Sequence, residues 1–244
     1  MTLPSAQGPL AGQHALVTGA SKGIGAATAR ALAAAGAVVA VSARSAAALE
    51  ALVKELGAGH RAIVADLSTA AGADALIAAV RAWAGGAPAI IVNNAGAFPH
   101  AAIGAQEAAG LSQTLRLNLE APFQIVNAFI GDMRARKSGD IVTVGSVADK
   151  TAFTGNAEYS ASKYGVRAMH EVLRSETKGS GIRAILVSPG SVDTEIWMPY
   201  ESLLGSRFPA RESMLAADDV ARAIAFALTQ PRHVDIDELR LTRS

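Results

Sequence analysis

The sequence predicts an α/β protein: one doubly wound parallel β-sheet with helices on both faces. Three observations carry that expectation. Short, β-branched, nearly continuously apolar runs recur along most of the chain, as in strands covered on both faces. Helical stretches alternate with them through short connections, the pattern of parallel βαβ units. A glycine-rich turn, TGASKGIG (Thr18 to Gly25), stands where the first strand passes into the first helix.

HALVT (His14 to Thr18) is the first strand, and Ile24 to Ala35 follows as a helix of good formers stopped by Gly36. AVVAVSA (Ala37 to Ala43) and a helix from Ala46 to Leu56, closed by Gly57, form the second unit. RAIVA (Arg61 to Ala65), a helix from about Thr69 to Trp83, and AIIV (Ala89 to Val92) continue the alternation. A long helical region from about Gln106 to Arg136 is expected to break near Pro122. IVTV (Ile141 to Val144), a helix carrying Tyr159 and Lys163, and IRAILV (Ile182 to Val187) complete the regular part. Asp193 to Ser213 is rich in Pro, Gly and bulky side chains (Trp197, Met198, Pro199, Tyr200, Phe208) and has no clear period. Asp218 to Leu228 is helical again, with Asp218 and Asp219 at its N-terminus, and HVDIDELRL (His233 to Leu241) alternates like a strand exposed on one face. No linker, repeat or low-complexity segment intervenes, so residues 1–244 are expected to form one domain.

The chain has 244 residues, ample for a full core. Half are hydrophobic, and Ala supplies much of that share, so helices can pack closely on a sheet. Charged residues make up 18% and the formal net charge is +1, which leaves no electrostatic footprint for nucleic acid or a membrane surface. Cysteine is absent, excluding disulfides and thiolate metal sites, and the five histidines are scattered without metal-like pairing. No G-x-S-x-G nucleophile elbow occurs. The N-terminal MTLPSAQGPLAGQ lacks a basic region followed by an apolar run. The most apolar window, Ala26 to Ala43, is interrupted by Arg30 and Gly36 and falls short of the roughly 20 apolar residues of a membrane span. A soluble, cytoplasmic protein is expected.

Gly19, Gly23 and Gly25 permit a tight turn and close approach of a pyrophosphate to a helix N-terminus, where free N–H groups and the macrodipole favour an anion. The spacing G-x-x-x-G-x-G differs from the G-x-G-x-x-G fingerprint, and a glycine cluster alone could merely punctuate a turn. Its place between the first strand and an Ala-rich helix favours a dinucleotide. An acid at the end of strand two would bind the ribose hydroxyls of NAD, whereas Arg accommodates the 2′-phosphate of NADP. VSARS has no acid there; it has Arg44, and Lys22 in the glycine turn adds a second cation. NADP(H) is expected in preference to NAD(H).

AEYSASKYGVRA (Ala157 to Ala168) sets Tyr159 and Lys163 one above the other on a helical face. Taken alone, this could be a surface Tyr packed along a Lys stem. It stands, however, with TGASKGIG, NNAG (Asn93 to Gly96), LNLEAPF with Asn118, GSVA with Ser146, and SPGSVDT (Ser188 to Thr194). Six motifs in this order and rough spacing resemble the short-chain dehydrogenase/reductase family over about residues 10 to 230. Within it, the chain looks most like the short NADP-dependent reductases, the group containing 3-oxoacyl-carrier-protein reductases. The resemblance implies a Rossmann-type fold and an NADP(H)-dependent oxidoreductase interconverting a carbonyl and a secondary alcohol.

By that resemblance Tyr159 is the general acid that protonates the substrate oxygen as hydride reaches the carbonyl carbon. Lys163 holds the nicotinamide ribose hydroxyls and lowers the tyrosine pKa. A phenol titrates near ~10 in water, so lowering brings it towards the operating pH. Ser146 matches the serine on the substrate oxygen, steadying developing charge, and Asn118 the asparagine that holds a water behind the lysine. Implied cofactor contacts are Gly19, Ser21, Lys22, Gly23, Ile24 and Gly25 in the turn, Arg44, and Asp66 and Leu67 after strand three. Asn93, Ala95 and Gly96 follow strand four, Tyr159 and Lys163 belong to the same set, and Pro189, Gly190, Val192 and Thr194 line the nicotinamide. Asp66 has a rival role capping the next helix. These motifs all fall at the carboxyl edge of the sheet, where open α/β sheets bind ligands.

Substrate choice is expected from Ala97 to Ile103, Val147 to Gly155, and a substrate loop or lid at about 193–213. Phe98, His100, Phe153, Trp197, Met198 and Tyr200 are candidates for a mostly apolar pocket beside Ser146 and Tyr159. Asp149 and Lys150 are charges expected at its rim, either touching a polar substrate or solvated. Many relatives end in a strand and a glycine-rich tail, whereas this chain ends DIDELRLTRS, like members acting on small hydroxy acids or assorted carbonyls. A 3-oxoacyl thioester reductase and a reductase of small hydroxy acids or ketones therefore both stay open. A non-catalytic NADP-sensing regulator is the third reading, disfavoured by the intact Asn118, Ser146, Tyr159 and Lys163. The family pairs its long helices around Asn118 and Tyr159 between subunits, which implies a homo-oligomer, a tetramer or a dimer.

Overall fold

Strand pairing follows the apolar runs. In the computed structural model, which describes residues 8–201, 205 and 210–244, the strands are β1 (His14–Thr18), β2 (Val38–Ala43), β3 (Arg61–Val64) and β4 (Ile90–Asn93). They continue with β5 (Gly139–Val144), β6 (Ile182–Pro189), β7 (Val192–Asp193), β8 (Leu215–Ala216) and β9 (Glu238–Leu241). Seven of them form one sheet in the order β3-β2-β1-β4-β5-β6-β9, every pairing parallel, and β7 pairs with β8 apart from it. The helices are α1 (Gly23–Ala34), α2 (Ala46–Leu56), α3 (Ala70–Ala84), α4 (Ala108–Leu115), α5 (Ala121–Arg136), α6 (Ala157–Thr177) and α7 (Ala217–Leu228).

Successive strand residues point to opposite faces, and both faces are covered. On one, Val17, Val41, Val92 and Ile185 meet Leu32, Leu49 and Ile224 of α1, α2 and α7. On the other, Leu16, Ile91 and Ile141 meet Leu76 and Val80 of α3 and Phe129 and Met133 of α5. This double burial is why the strands read as continuous apolar runs. The chain winds outward from β1 through β3, then returns to place β4 on the other side of β1. The crevice at this reversal opens at the carboxyl ends of both strands, where α/β sheets take ligands.

The helical region before β5 does not stop near Pro122, but its regular α-helical ladder is interrupted just before that residue. α4 runs into a five-residue π-helical segment, Arg116–Glu120, and directly on into α5. Pro122 follows this segment without a break in the chain's helical path; having no N–H, it makes no hydrogen bond back to the carbonyls of the preceding turn. The irregularity falls one turn earlier, on the segment that carries Asn118, and π-turns of this kind are frequent at functional sites. The last strand is shorter than the alternating run predicts, Glu238–Leu241. Asp219 accepts a hydrogen bond from the Ala216 amide at 2.7 Å at the start of α7, the expected helix-terminal role. Between β7 and β8 the described residues include short 3₁₀ turns at Glu195–Tyr200 and Arg211–Ser213; Phe208 lies outside the described residues. No helix among the described residues is long and apolar enough to cross a membrane.

A buried ion cluster ties the sheet to the segment after α7. Arg183 on β6 donates to both carboxylate oxygens of Asp140 on β5, at 2.7 and 3.2 Å, and to the Leu228 and Gln230 carbonyls at 2.9 and 3.1 Å. Arg232 donates to Asp140 at 2.8 Å and to the Gly181 carbonyl at 2.6 Å. Removing Asp140 would leave Arg183, 4% exposed in its side chain, without its counter-charge. Asp140→Ala is expected to lower unfolding free energy by about 3–5 kcal/mol in urea titration; a loss under ~1 kcal/mol would show the cluster to be dispensable.

Candidate active site

The crevice between β1 and β4 is stitched by Thr18, the last residue of β1. Its hydroxyl donates to the Val92 carbonyl at 3.3 Å and accepts from the Asn94 and Ala95 amides, each at 3.0 Å. Asn94 completes the stitch by donating to the carbonyls of Thr18 and Gly19, at 2.8 and 3.3 Å. A Cβ on Gly19 would stand 2.7 Å from the Ala95 Cα, and one on Gly25 would stand 2.4 Å from the Gly19 carbonyl oxygen. The turn can close this tightly only without side chains at those two positions. α1 begins at Gly23 with no side-chain cap from Lys22, leaving its first N–H groups open for an anion.

Asn93 is buried, and neither its side-chain oxygen nor its nitrogen has a partner among the described residues. A buried amide left unsatisfied is costly, so this group suits a polar ligand at the crevice. Open helix N–H groups, a cradle that a Cβ would fill and an orphaned amide together fit a dinucleotide. The neighbouring asparagine, Asn94, was not singled out by sequence reasoning. The doublet NN signals that one side chain faces each way, without showing which one holds the sheet.

The remaining cofactor candidates lie around this crevice. Arg44 is exposed at the end of β2, and Lys22 is tied at 2.6 Å to Glu195, both more than half exposed. Asp66 accepts from the hydroxyl and amide of Ser68, at 2.7 and 3.0 Å, and these bonds, then the charge of Arg44, hold its carboxyl below the usual range. The cap of α3 is Thr69, which accepts from the Gly72 amide at 3.0 Å, so Asp66 leads into the helix and does not cap it. Leu67 and Val192 are buried, Ser21 and Ile24 half-buried, and a Cβ on Gly96 would be 3.2 Å from the Asn118 side-chain oxygen. Gly190 donates to the Leu241 carbonyl at 2.8 Å, which fastens the turn after Pro189 to β9, and the Thr194 methyl lies over Gly23.

Asn118, Ser146, Tyr159 and Lys163 come together one strand further along. Ser146 follows β5 and opens a 3₁₀ turn, its hydroxyl accepting from the Ala148 amide at 3.1 Å and hydrogen-bonded to Tyr159. Lys163 is buried, its Nζ 5.6 Å from the centre of the Tyr159 ring and donating to the Val144 carbonyl at 2.8 Å. Asn118 accepts from the Ala97 amide at 2.8 Å and donates to the Ala97 carbonyl and the Ser162 hydroxyl, each at 2.9 Å. Ser162 in turn donates to the Tyr159 carbonyl at 2.7 Å, so Asn118 braces α6 through a residue that sequence reasoning passed over.

The family model described as short chain dehydrogenase matches residues 13–203. The chain belongs to the short-chain dehydrogenase family. Glycine betaine reductase ATRR of Emericella nidulans is 35% identical over 97% of this chain, which spans only 19% of that protein's length. The uncharacterized oxidoreductase SH0585 of Staphylococcus haemolyticus is 33% identical, the match covering 94% of this chain and 96% of that one. Among solved structures, a metagenomic short-chain oxidoreductase in complex with NADP is 31% identical with a TM-score of 0.81, covering 97% of this chain and 100% of its own.

In this short-chain dehydrogenase, burial pushes the Tyr159 phenol up to about 12; the Ser146 hydrogen bond pulls it down and the charge of Asp149 pushes it up again. The chain by itself therefore does not supply the lowered phenol that the sequence reading expects from Lys163. Burial brings the Lys163 ammonium down to about 8, with Asp149 opposing. Asp149 is not a rim charge. It is fully buried, accepting from the Ser188 hydroxyl at 2.5 Å and from Arg167 at 3.1 Å, while Lys150 is half-exposed and pairs with Glu238 at 3.1 Å.

Four of the predicted pocket residues gather around Phe98, which alone of them meets the Tyr159 ring. The Phe98 ring stands edge-on to Tyr159 at 4.9 Å, with Trp197 at 4.9 Å and Tyr200 at 5.6 Å, and His100 lies 5.9 Å from Tyr200. Trp197 is anchored by its indole N–H on the Val192 carbonyl at 3.0 Å. Phe153 and Met198 are exposed and make no ring contact in this cluster. No group of three or more acidic or histidine side chains among the described residues is placed to hold a metal.

Lys163 carries a testable consequence. Its folded value of about 8 lies below the 10.5 of a free lysine, so the unfolded chain binds this proton more tightly. The charge opposes folding below about pH 8, and the penalty fades as pH rises towards the free-lysine value. Lys163→Met is expected to unfold about 1–3 kcal/mol later than wild type near neutral pH, with the gain shrinking in alkali. Denaturant titrations at several pH values check this, and a variant less stable than wild type at neutral pH contradicts it.

Proposed function

We propose that the protein is an NADP(H)-dependent carbonyl reductase, running in reverse as a secondary-alcohol dehydrogenase, with Tyr159 as acid and base. The observation that carries this reading is the Tyr159 phenol, bonded to Ser146, with Lys163 behind its ring and Phe98 at its edge. NADPH, when bound, supplies the hydride. Tyr159 gives its Oη proton to the substrate oxygen, and a phenol held near 12 stays protonated for this at neutral pH. Ser146 donates its hydroxyl hydrogen to the same oxygen and spreads the charge that develops there. Lys163, charged below about 8, holds ribose hydroxyls and favours the phenolate left behind. Asn118 keeps α6 and the Ala97 segment in register beneath these groups.

Arg44 after β2 and Lys22 in the glycine turn support NADP over NAD, since cations rather than an acid flank the turn and the end of β2. The similar metagenomic oxidoreductase solved with NADP points the same way. For the substrate, the rings of Phe98, Trp197 and Tyr200 restrict bulk beside the reacting carbon and favour a small carbonyl compound with an apolar or trimethylammonium substituent. The relative named glycine betaine reductase is consistent with the latter. A 3-oxoacyl thioester is the second reading, favoured by the exposed apolar surface of Phe153 and Met198. Assembly belongs to the same proposal: Phe123 on α5 and Tyr164 and Val172 on α6 are large and exposed, as subunit-pairing helices require.

Turnover of small ketones, diketones, a trimethylammonium aldehyde and acetoacetyl thioesters is measured with NADPH and with NADH. Tyr159→Phe is expected to lower kcat by about 10²–10⁴-fold, and Arg44→Ala to raise KM for NADPH about tenfold with little effect on NADH. Full activity in Tyr159→Phe refutes the mechanism, and equal use of both cofactors by wild type refutes the cofactor preference. In sedimentation velocity the protein is expected to run as a tetramer or dimer; a monomer at all concentrations refutes the assembly.

A further inference from the structure

The buried carboxylate of Asp149 has no step in the reaction above, yet it binds three elements around the Ser146 turn. Its own amide donates to the Ser146 carbonyl at 2.9 Å, which closes the turn. One carboxylate oxygen accepts from Ser188 on β6 at 2.5 Å, and the other accepts from Arg167 on α6 at 3.1 Å. Arg167 lies one helical turn beyond Lys163 and donates to both oxygens of Glu238 on β9, at 2.8 and 3.1 Å. Lys150, next to Asp149 in sequence, donates to Glu238 at 3.1 Å. The four charges alternate in sign, from Asp149 through Arg167 and Glu238 to Lys150. Gly145 makes room for the array, since a Cβ there would stand 2.8 Å from both Asp149 Oδ2 and Ser188 Oγ.

Well-packed apolar groups would hold a turn at least as firmly as a buried ion array, because charges lose their hydration when buried. The array is better explained by what a fixed negative charge does at this place. We propose that Asp149 is a positioning residue: it locks the Ser146 turn, whose hydroxyl meets Tyr159, onto α6 and β6, and its fixed negative charge beside that turn favours the protonated phenol. Glu238 of β9 holds the array from its outer side. This rests on the reading of Tyr159 as the proton-transfer group. The charges acting on that phenol are Lys163 from α6, 5.6 Å from the ring, and Asp149 from the turn. Arg167 of α6 binds Asp149, Glu238 of β9 binds Arg167 and Lys150 binds Glu238, so these three lie behind Asp149 in the array, and the uncharged Phe98 ring meets Tyr159 edge-on. The carboxylate raises both the Tyr159 phenol and the Lys163 ammonium, as a negative charge in a buried site must.

Asp149→Asn keeps the shape and an acceptor for Ser188 while removing the charge. Titration of the near-ultraviolet phenolate band, taken as the difference from Tyr159→Phe in the same background, reads the Tyr159 midpoint without any substrate. It is run with and without NADP⁺. The D149N midpoint is expected about one pH unit below wild type, with the alkaline limb of alcohol oxidation moving by the same amount. A purely structural role would lower the rate at every pH and leave the midpoint in place, and that result overturns the proposal. Glu238→Gln, on a quarter-exposed side chain, tests the clamp should D149N not fold. Amide exchange at Ala148 and Asp149 is expected to quicken about tenfold in E238Q, and unchanged exchange overturns the clamp. A wild-type protein that neither responds to NADP⁺ nor turns over any carbonyl refutes the reductase reading, while the midpoint comparison still decides the role of Asp149.

Discussion

Parallel pairing of β1 with β4 is the constraint on which the rest of the site depends. In a parallel sheet every strand ends at the same edge, so every strand-to-helix turn opens on one side of the molecule. Because the chain first winds outward to β3 and then returns to β4, the turns after β1 and β4 cannot both pass over the same face. They part, and the gap between them is the crevice. Thr18 and Asn94 hold the two strand ends together at the point where they diverge. The glycine turn, the Asn93 amide, the Ser146 turn and the segment after β6 all open on that edge because the sheet leaves them nowhere else to go.

A second constraint is electrostatic. Tyr159, Lys163 and Asp149 are ionisable groups placed where water does not reach them well, and the charge of Asp149 acts on the other two. Such a site is built against its own stability: the ammonium loses hydration, and the carboxylate is retained only by Ser188 and Arg167. The Asp140–Arg183–Arg232 cluster at the opposite end of β5 and β6 is of the same kind, but it satisfies its charges with backbone carbonyls and touches none of the crevice residues. One strand pair thus carries a rigid ionic anchor at its amino end and a responsive ionic array at its carboxyl end.

The fold was legible because double burial leaves a simple trace: the strands are apolar throughout, and glycine marks the ends of α1 and α2. The grouping of Tyr159 and Lys163 was legible from helical spacing, and their company from the order of motifs. What escaped depends on side-chain direction. Asn93 and Asn94 are chemically identical, and only the pleat decides which one stitches the strands. Pro122 advertised a stop, and the chain shows instead a π-turn just before it with the helix continuing beyond. Asp149 looks like a loop charge in sequence because its partners, Arg167 and Ser188, lie on two later elements, α6 and β6. Ser162 is a small residue in a helix, and nothing local shows that its hydroxyl faces Asn118.

The π-turn at Arg116–Glu120 has a consequence for insertions and deletions. An α-helix turns about 100° per residue, so losing one residue from this segment would rotate α5 by that angle against α4. Phe129 and Met133, both fully buried, would swing out of the core, and Arg81 would lose its partners Asp132 and the Ala128 carbonyl. Tightening the turn to regular helix is therefore blocked by hydrophobic packing two turns away. Asn118 keeps its unusual backbone setting because the core guards its register, whatever the chemistry at Asn118 itself demands.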